Sequence, residues 1–262
     1  MQHFKQSHRL ILKPKTMKKL TFSIALSVLI SASLISSQAN TLLGIESGKK
    51  VLSEEGRRVS GFKGISSSGS FDVRVKMGST ESLRLEGDED LIKEIETLVE
   101  DGILKIRNKK NKNSWNWMDG RGKVIVYVNA KSLNSITLSG SGDLKVDGTV
   151  KDQKLINSVS GSGSISLTAE VDEYIGSVSG SGEIMINGRA KQAMLKISGS
   201  GNFEGRNFNI SDVDVRVSGS GNVNIKAEKT LDAAVSGSGN IRYSGSAKVS
   251  QTKSGSGSIS KM

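Results

Sequence analysis

Three stretches of this chain hold residues equipped for chemistry. The first is "RNKKNKNSWNWMDGRGK", residues 107–123, which sets six Lys/Arg against one Asp and holds both tryptophans of the sequence. Trp115 and Trp117 are two apart, so an extended backbone puts both rings on one side, among Lys109, Lys110, Lys112 and Arg121. Indole faces beside cations suit stacking on sugar rings or resting at a membrane interface. The structural alternative is a long hairpin tip whose tryptophans fold back over the core. The second stretch is the pair Asp143 and Glu183, each placed four residues after the first serine of a Ser-Gly-Ser-Gly motif. Paired carboxylates cleave polysaccharides as acid and base, in inverting enzymes at a separation of ~6.5–9.5 Å. Stacked two strand spacings apart they would stand ~10 Å from one another, with Ser164 between them, so solvated surface charge is the better reading. The third is "SGSGD", residues 139–143, which carries the glycines of a phosphate-cradling loop. It lacks the strand-to-helix setting and the lysine that such a loop needs.

What is missing narrows the chemistry further. The chain has no Cys, and its only histidines are His3 and His8. Beyond residue 8, Ser-His-Asp triads, Cys-His pairs and His-containing zinc sites are all excluded. No catalytic, cofactor or metal set is therefore assigned. From Met17 the sequence reads "MKKLTFSIALSVLISASLISSQAN": two lysines, a small-and-apolar run, then Ser37-Gln38-Ala39. That is the layout of an export signal cut after Ala39, with residues 1–16 upstream of an alternative start. Its apolar run is shorter than the ~20 residues of a membrane-spanning helix. Residues 1–39 hold six Lys/Arg and no Asp/Glu, which leaves 31 basic against 26 acidic residues, a balance of +5. That is too mild to argue for nucleic acid.

What must position these residues is a repeat. Ser-Gly-Ser-Gly begins at Ser139, Ser160, Ser179, Ser198, Ser218, Ser236 and Ser254, spaced by 21, 19, 19, 20, 18 and 18 residues. Counting each first serine as zero, position −1 is Leu138, Val159, Val178, Ile197, Val217, Val235 and Lys253. Position +5 is Leu144, Ile165, Ile184, Phe203, Val223, Ile241 and Ile259. The apolar positions are all odd, which is strand periodicity. A period of about 20 residues signals a solenoid, in which equivalent positions stack at ~4.8 Å. The fold expected is all-β: a right-handed parallel β-solenoid of about 18–21 residues per rung, the hand following from parallel crossovers. The glycines at +1 and +3 mark either a corner or a close backbone approach. The last copy puts Gln251, Lys253 and Lys261 at apolar positions, charge that protects an open sheet edge.

Residues 135–262 thus form the repeat solenoid, and residues 59–134 a β region of different pattern. Within it "DEDLIKEIETLVEDG" predicts a short helix over 90–101, capped by Asp88 or Asp90 and stopped at Gly102. "SSSGSF", residues 66–71, reads as a degraded repeat, which makes this half continuous with the solenoid. Residues 40–58 show no pattern and read as a flexible lead-in.

Taken together, "GSFDVRVKMG", "EGDEDLIKEIETLVEDGILKI" and the repeated "SGSG" resemble the bacterial head GIN domain family of adhesins, over roughly residues 59–262. The resemblance implies an exported β-solenoid and supplies no catalytic or binding residues. The function expected is that of a non-enzymatic protein for cell-surface or envelope interaction, its partner an envelope glycan or a surface protein. The alternatives are a polysaccharide-active enzyme and a carbohydrate-binding module centred on Trp115 and Trp117.

Overall fold

A computed structural model describes residues 52–109 and 123–262. In chain order the elements are β1 (Leu52–Arg57), β2 (Gly64–Gly69), β3 (Asp72–Met77), β4 (Ser82–Asp88), α1 (Glu89–Glu94), β5 (Ile95–Glu100), β6 (Ile103–Asn108), β7 (Ile125–Ala130) and β8 (Ser135–Gly140). The long strands β9 (Asp143–Gly161), β10 (Ser164–Gly180), β11 (Glu183–Gly199), β12 (Asn202–Gly219) and β13 (Asn222–Gly237) follow, then β14 (Asn240–Ser244), β15 (Lys248–Ser254) and β16 (Ser258–Lys261). They form a parallel β-solenoid of about seven turns with a single short helix.

The repeats stack in register. Ser160 pairs with Ser139 and Ser179, Ser198 with Ser179 and Ser218, and Ser236 with Ser218 and Ser254. The columns at −1 and +5 are buried from Leu138 to Val235 and from Leu144 to Ile241. Each such side chain contributes ~1.5–3 kcal/mol on full burial, and only a stack of rungs can bury them.

Both readings of the glycines hold, one for each glycine. The glycines at +1, from Gly140 to Gly255, have φ between 105° and 123°, a corner closed to other residues. The glycines at +3 point inward where rungs approach: a Cβ on Gly201 would lie 2.4 Å from Val178 Cγ1 and 2.6 Å from the Gly182 carbonyl oxygen.

The first half joins the same stack out of order. Strands β2 and β3 pair in parallel with β8 and β9 on one side and with β6 and β7 on the other. The chain therefore lays down β2 and β3, leaves to build an end layer, returns as β6 and β7, and steps past its own first rung to β8. Ser68 and Gly69 sit opposite Ser139 and Gly140, so "SSSGSF" is a repeat with Phe71 in place of the second glycine. The end layer is antiparallel: β5 on β6, β4 on β7, and β1 on β4.

Two expectations are corrected here. The helix predicted over 90–101 spans only Glu89–Glu94, capped by Asp88, whose carboxylate accepts the N–H groups of Asp90 and Leu91. Residues Ile95–Glu100 are instead a strand turned back onto β6 through Asp101 (φ 52°) and Gly102 (φ 71°). An Asp-Gly pair with positive φ at both residues is the favoured two-residue hairpin loop, and it outweighs the helical spacing of Ile95, Leu98 and Val99. The second correction is to the lead-in, which contains the edge strand β1. Its Arg57 donates from Nη1 to the Ile95 carbonyl (2.6 Å) and from Nη2 to the Ile92 carbonyl (3.0 Å), closing the C-terminal end of α1.

Candidate functional site

Of the residues singled out for ligand contact, Trp115, Trp117, Lys110, Lys112 and Arg121 lie outside the described residues. The structure does describe both flanks of that segment. Lys109 is exposed; its backbone N–H donates to the Glu94 carbonyl (2.8 Å) and its ammonium to the Lys93 carbonyl, at the end of α1. At the other flank Lys123 pairs with Asp72 at 2.7 Å. Asp72 is only 5% exposed and its Oδ1 also accepts the Asp143 N–H (3.2 Å). A buried carboxylate needs both partners to offset its lost hydration. The flanks are thus tied to α1 and to the first rung.

Several carboxylates of the repeats are held by neighbouring rungs. Asp143 and Glu183 stand at the same register position with Ser164 between them, and Ser164 Oγ donates to Asp143 Oδ1 at 2.6 Å. Farther along the same column the side chains form a ladder. Asn222 donates to Asn202 (3.1 Å), Asn240 to Asn222 (3.0 Å), and Ser258 to Asn240 (2.7 Å). Elsewhere Glu170 lies between Lys151 (3.4 Å) and Arg189 (2.9 Å), Lys154 meets Glu173 (2.8 Å), and Lys191 meets Asp172 (2.8 Å). Arg216 bridges Asp214 and Asp232 at 3.1 Å each. Its hydrogen bonds hold the Asp232 carboxyl below the usual carboxylate range, so that group stays ionised. This arrangement suits staples between rungs, not proton transfer. Among the described residues no three His, Cys, Asp or Glu side chains converge as a metal site.

The sequence reading passed over a second cluster, on the outer face of β3, β4 and β7. Arg84, Tyr127 and Arg74 are register partners across these strands, and Ser82, Asn129 and Lys76 form the row beside them. Period-2 parity puts all six outside, opposite the buried Val73, Val75, Leu83, Leu85, Val126 and Val128. That parity was the available signal. The Arg84 guanidinium lies 4.4 Å from the centre of the Tyr127 ring and pairs through Nη1 with Glu54 and Glu86. No helix among the described residues is long and apolar enough to cross a membrane.

Comparisons with known proteins agree with this architecture. The family model described as "Putative auto-transporter adhesin, head GIN domain" matches residues 61–247. A crystal structure of a putative adhesin from Parabacteroides distasonis ATCC 8503 is similar at 26% identity and TM-score 0.68, covering 82% of this chain and 98% of that one. A putative adhesin from Bacteroides fragilis NCTC 9343 shares the fold at 24% identity and TM-score 0.73, covering 81% and 98%. A protein described as a putative lipid binding protein, also from Parabacteroides distasonis ATCC 8503, gives 26% and 0.67, covering 82% and 98%. No match is found among curated proteins. With the family model spanning most of a chain whose rungs, corners and end layer are those just described, the protein belongs to the head GIN domain family.

Proposed function

We propose that this protein is an exported, non-enzymatic solenoid that makes adhesive contacts at the cell surface or envelope. One observation carries the reading: several carboxylates of the repeats are engaged as inter-rung staples, as in Lys151–Glu170–Arg189 and Arg216–Asp232. Export rests on the leader-like residues 17–39, and adhesion on the family. Contact is assigned to the segment bearing Trp115 and Trp117, with Lys109, Lys110, Lys112 and Arg121 steering an anionic glycan or headgroup. Large rigid rings dominate binding where they are exposed, and a serine corner offers hydroxyls without apolar area.

The test is binding of residues 40–262 to isolated envelopes and to a glycan array, beside a Trp115→Ala/Trp117→Ala variant. The expected result is binding by the parent and a loss of tenfold or more in the variant, ~1.4 kcal/mol, at an unchanged melting temperature. Normal binding by the stable variant overturns the assignment to the tryptophans. Release of reducing ends from a polysaccharide by the parent overturns the non-enzymatic reading.

A further inference from the structure

The cluster on β3, β4 and β7 contrasts with the ion pairs that span the long rungs. In the groove lined in part by Glu170, Asp172, Arg189 and Lys191, these four side chains each have an opposite partner on an adjacent rung. On the outer face of β3, neither Arg74 nor Lys76 has an ion-pair partner among the described residues. Both line a concave region of about 680 Å³ together with Arg84, Tyr127, Asn129 and Ser82.

We propose that this region is a binding site for an acidic saccharide, one whose carboxylate meets Arg74 and Lys76 while its hydroxyls meet the polar row beside them. The proposal deepens the reading of the protein as a surface adhesin by naming a second contact and its ligand chemistry.

The geometry supplies three things such a ligand needs. The first is a grid of matching size. Three adjacent strands put Arg84, Tyr127 and Arg74 ~10 Å from end to end, with Ser82, Asn129 and Lys76 ~7 Å away along the strands. That footprint fits one or two sugar rings. The second is a fixed cation. Arg84 is held by Glu54 and Glu86 through Nη1 and by the Tyr127 ring beneath it, which leaves Nε and Nη2 without a partner among the described residues. A guanidinium already fixed loses less freedom when it donates to a sugar hydroxyl. The third is neutral hydrogen-bonding capacity at the centre. Asn129 donates to Ser82 at 2.7 Å, and the Ser82 hydroxyl proton and the second Asn129 amide proton remain available to sugar hydroxyls. Asp147, the register partner of Lys76, also lines the region and is paired with Lys145 at 3.2 Å.

The experiment measures binding of an alginate oligosaccharide to residues 40–262 by calorimetry, with a neutral dextran oligosaccharide of equal length as the control. Arg74→Gln/Lys76→Gln changes two outward side chains, and Lys191→Gln/Lys229→Gln removes the same charge elsewhere. The expected result is alginate binding by the parent, none to dextran, a loss of tenfold or more in the Arg74/Lys76 variant and near-parental affinity in the Lys191/Lys229 variant. Equal losses in the two variants would mean diffuse attraction and overturn the proposal, as would equal binding of dextran or no binding of alginate. The Trp115→Ala/Trp117→Ala variant separates this site from the adhesive segment: it should keep alginate affinity here, and its complete loss there would transfer the ligand to the tryptophans.

Discussion

Adding a single methyl group at Gly221 should break the solenoid more severely than its size suggests. A Cβ on Gly221 would sit 2.4 Å from the Gly201 carbonyl oxygen and 2.6 Å from Ile197 Cγ2. Neither neighbour can swing aside, because one is backbone of the adjoining rung and the other is a buried column residue. Relief requires the corner between β12 and β13 to lift off the corner between β11 and β12, where the Ser220 N–H donates to the Gly199 carbonyl (2.8 Å) and the Asn222 N–H to the Gly201 carbonyl (3.2 Å). Overpacking of this kind costs ~1–3 kcal/mol. Gly219→Ala adds to a similar clash, 2.5 Å from the Gly199 carbonyl oxygen, a backbone φ of 116°, which contributes a further ~1–3 kcal/mol. Such losses are a large part of the ~5–15 kcal/mol that holds a domain together. Ser220→Ala, the exposed residue between the two glycines, should stay within ~0.5 kcal/mol of the parent. Thermal and urea unfolding of residues 40–262, followed by circular dichroism, gives all three values. The expected order is Gly219→Ala lowest, Gly221→Ala next, and Ser220→Ala with the parent. A Gly221→Ala variant that melts with the parent would refute the close approach of the rungs and the inward assignment of the +3 glycines.

Two further outcomes follow from buried polar groups. Burial raises the Tyr174 phenol above its ordinary value, so its contribution to stability is complete below the unfolded value of ~10 and is lost as pH rises beyond it, by ~1.4 kcal/mol per unit. Tyr174→Phe, which leaves Asn157 without its 3.2 Å partner, should therefore be less stable at neutral pH, with the gap to the parent closing above pH ~10; parallel stability curves would contradict this. Ser67 occupies the −1 column between Ile106 and Leu138, and its buried hydroxyl has no partner among the described residues. Ser67→Val should raise the unfolding midpoint, because an unmatched buried hydroxyl costs ~1–3 kcal/mol, and a lowered midpoint would count against the column.

The repeats were legible because burial on alternate residues leaves a mark at every odd position. Even the Asn202–Asn222–Asn240 ladder could be placed in advance from spacing alone. The end layer was less legible, since its strands owe their pairing to partners far along the chain. Ile95, Leu98 and Val99 satisfy a helical stripe as well as a strand, and only the Asp101-Gly102 turn decides between them. "LSEEGR" of β1 has no apolar alternation because it is an edge strand held by backbone pairing with β4 and by Arg57. The outer cluster was readable in parity but invisible in proximity. Nothing local says that Arg74, Arg84 and Tyr127 lie side by side, because β7 reaches β3 only after the excursion through α1 and β6.

The in-register stacking of whole rungs also determines how the molecule would respond to mechanical load. Hydrogen bonds between neighbouring rungs run along the solenoid axis, so tension applied at the chain's last rung meets them a few at a time, in the manner of a zipper. The 18 residues from Ser236 to Lys253 form one such rung, and each rung peeled away would release ~60 Å of chain at ~3.4 Å per residue. A tether built this way yields in steps of similar length, and each detached rung has the remaining stack as a template on which to rewind.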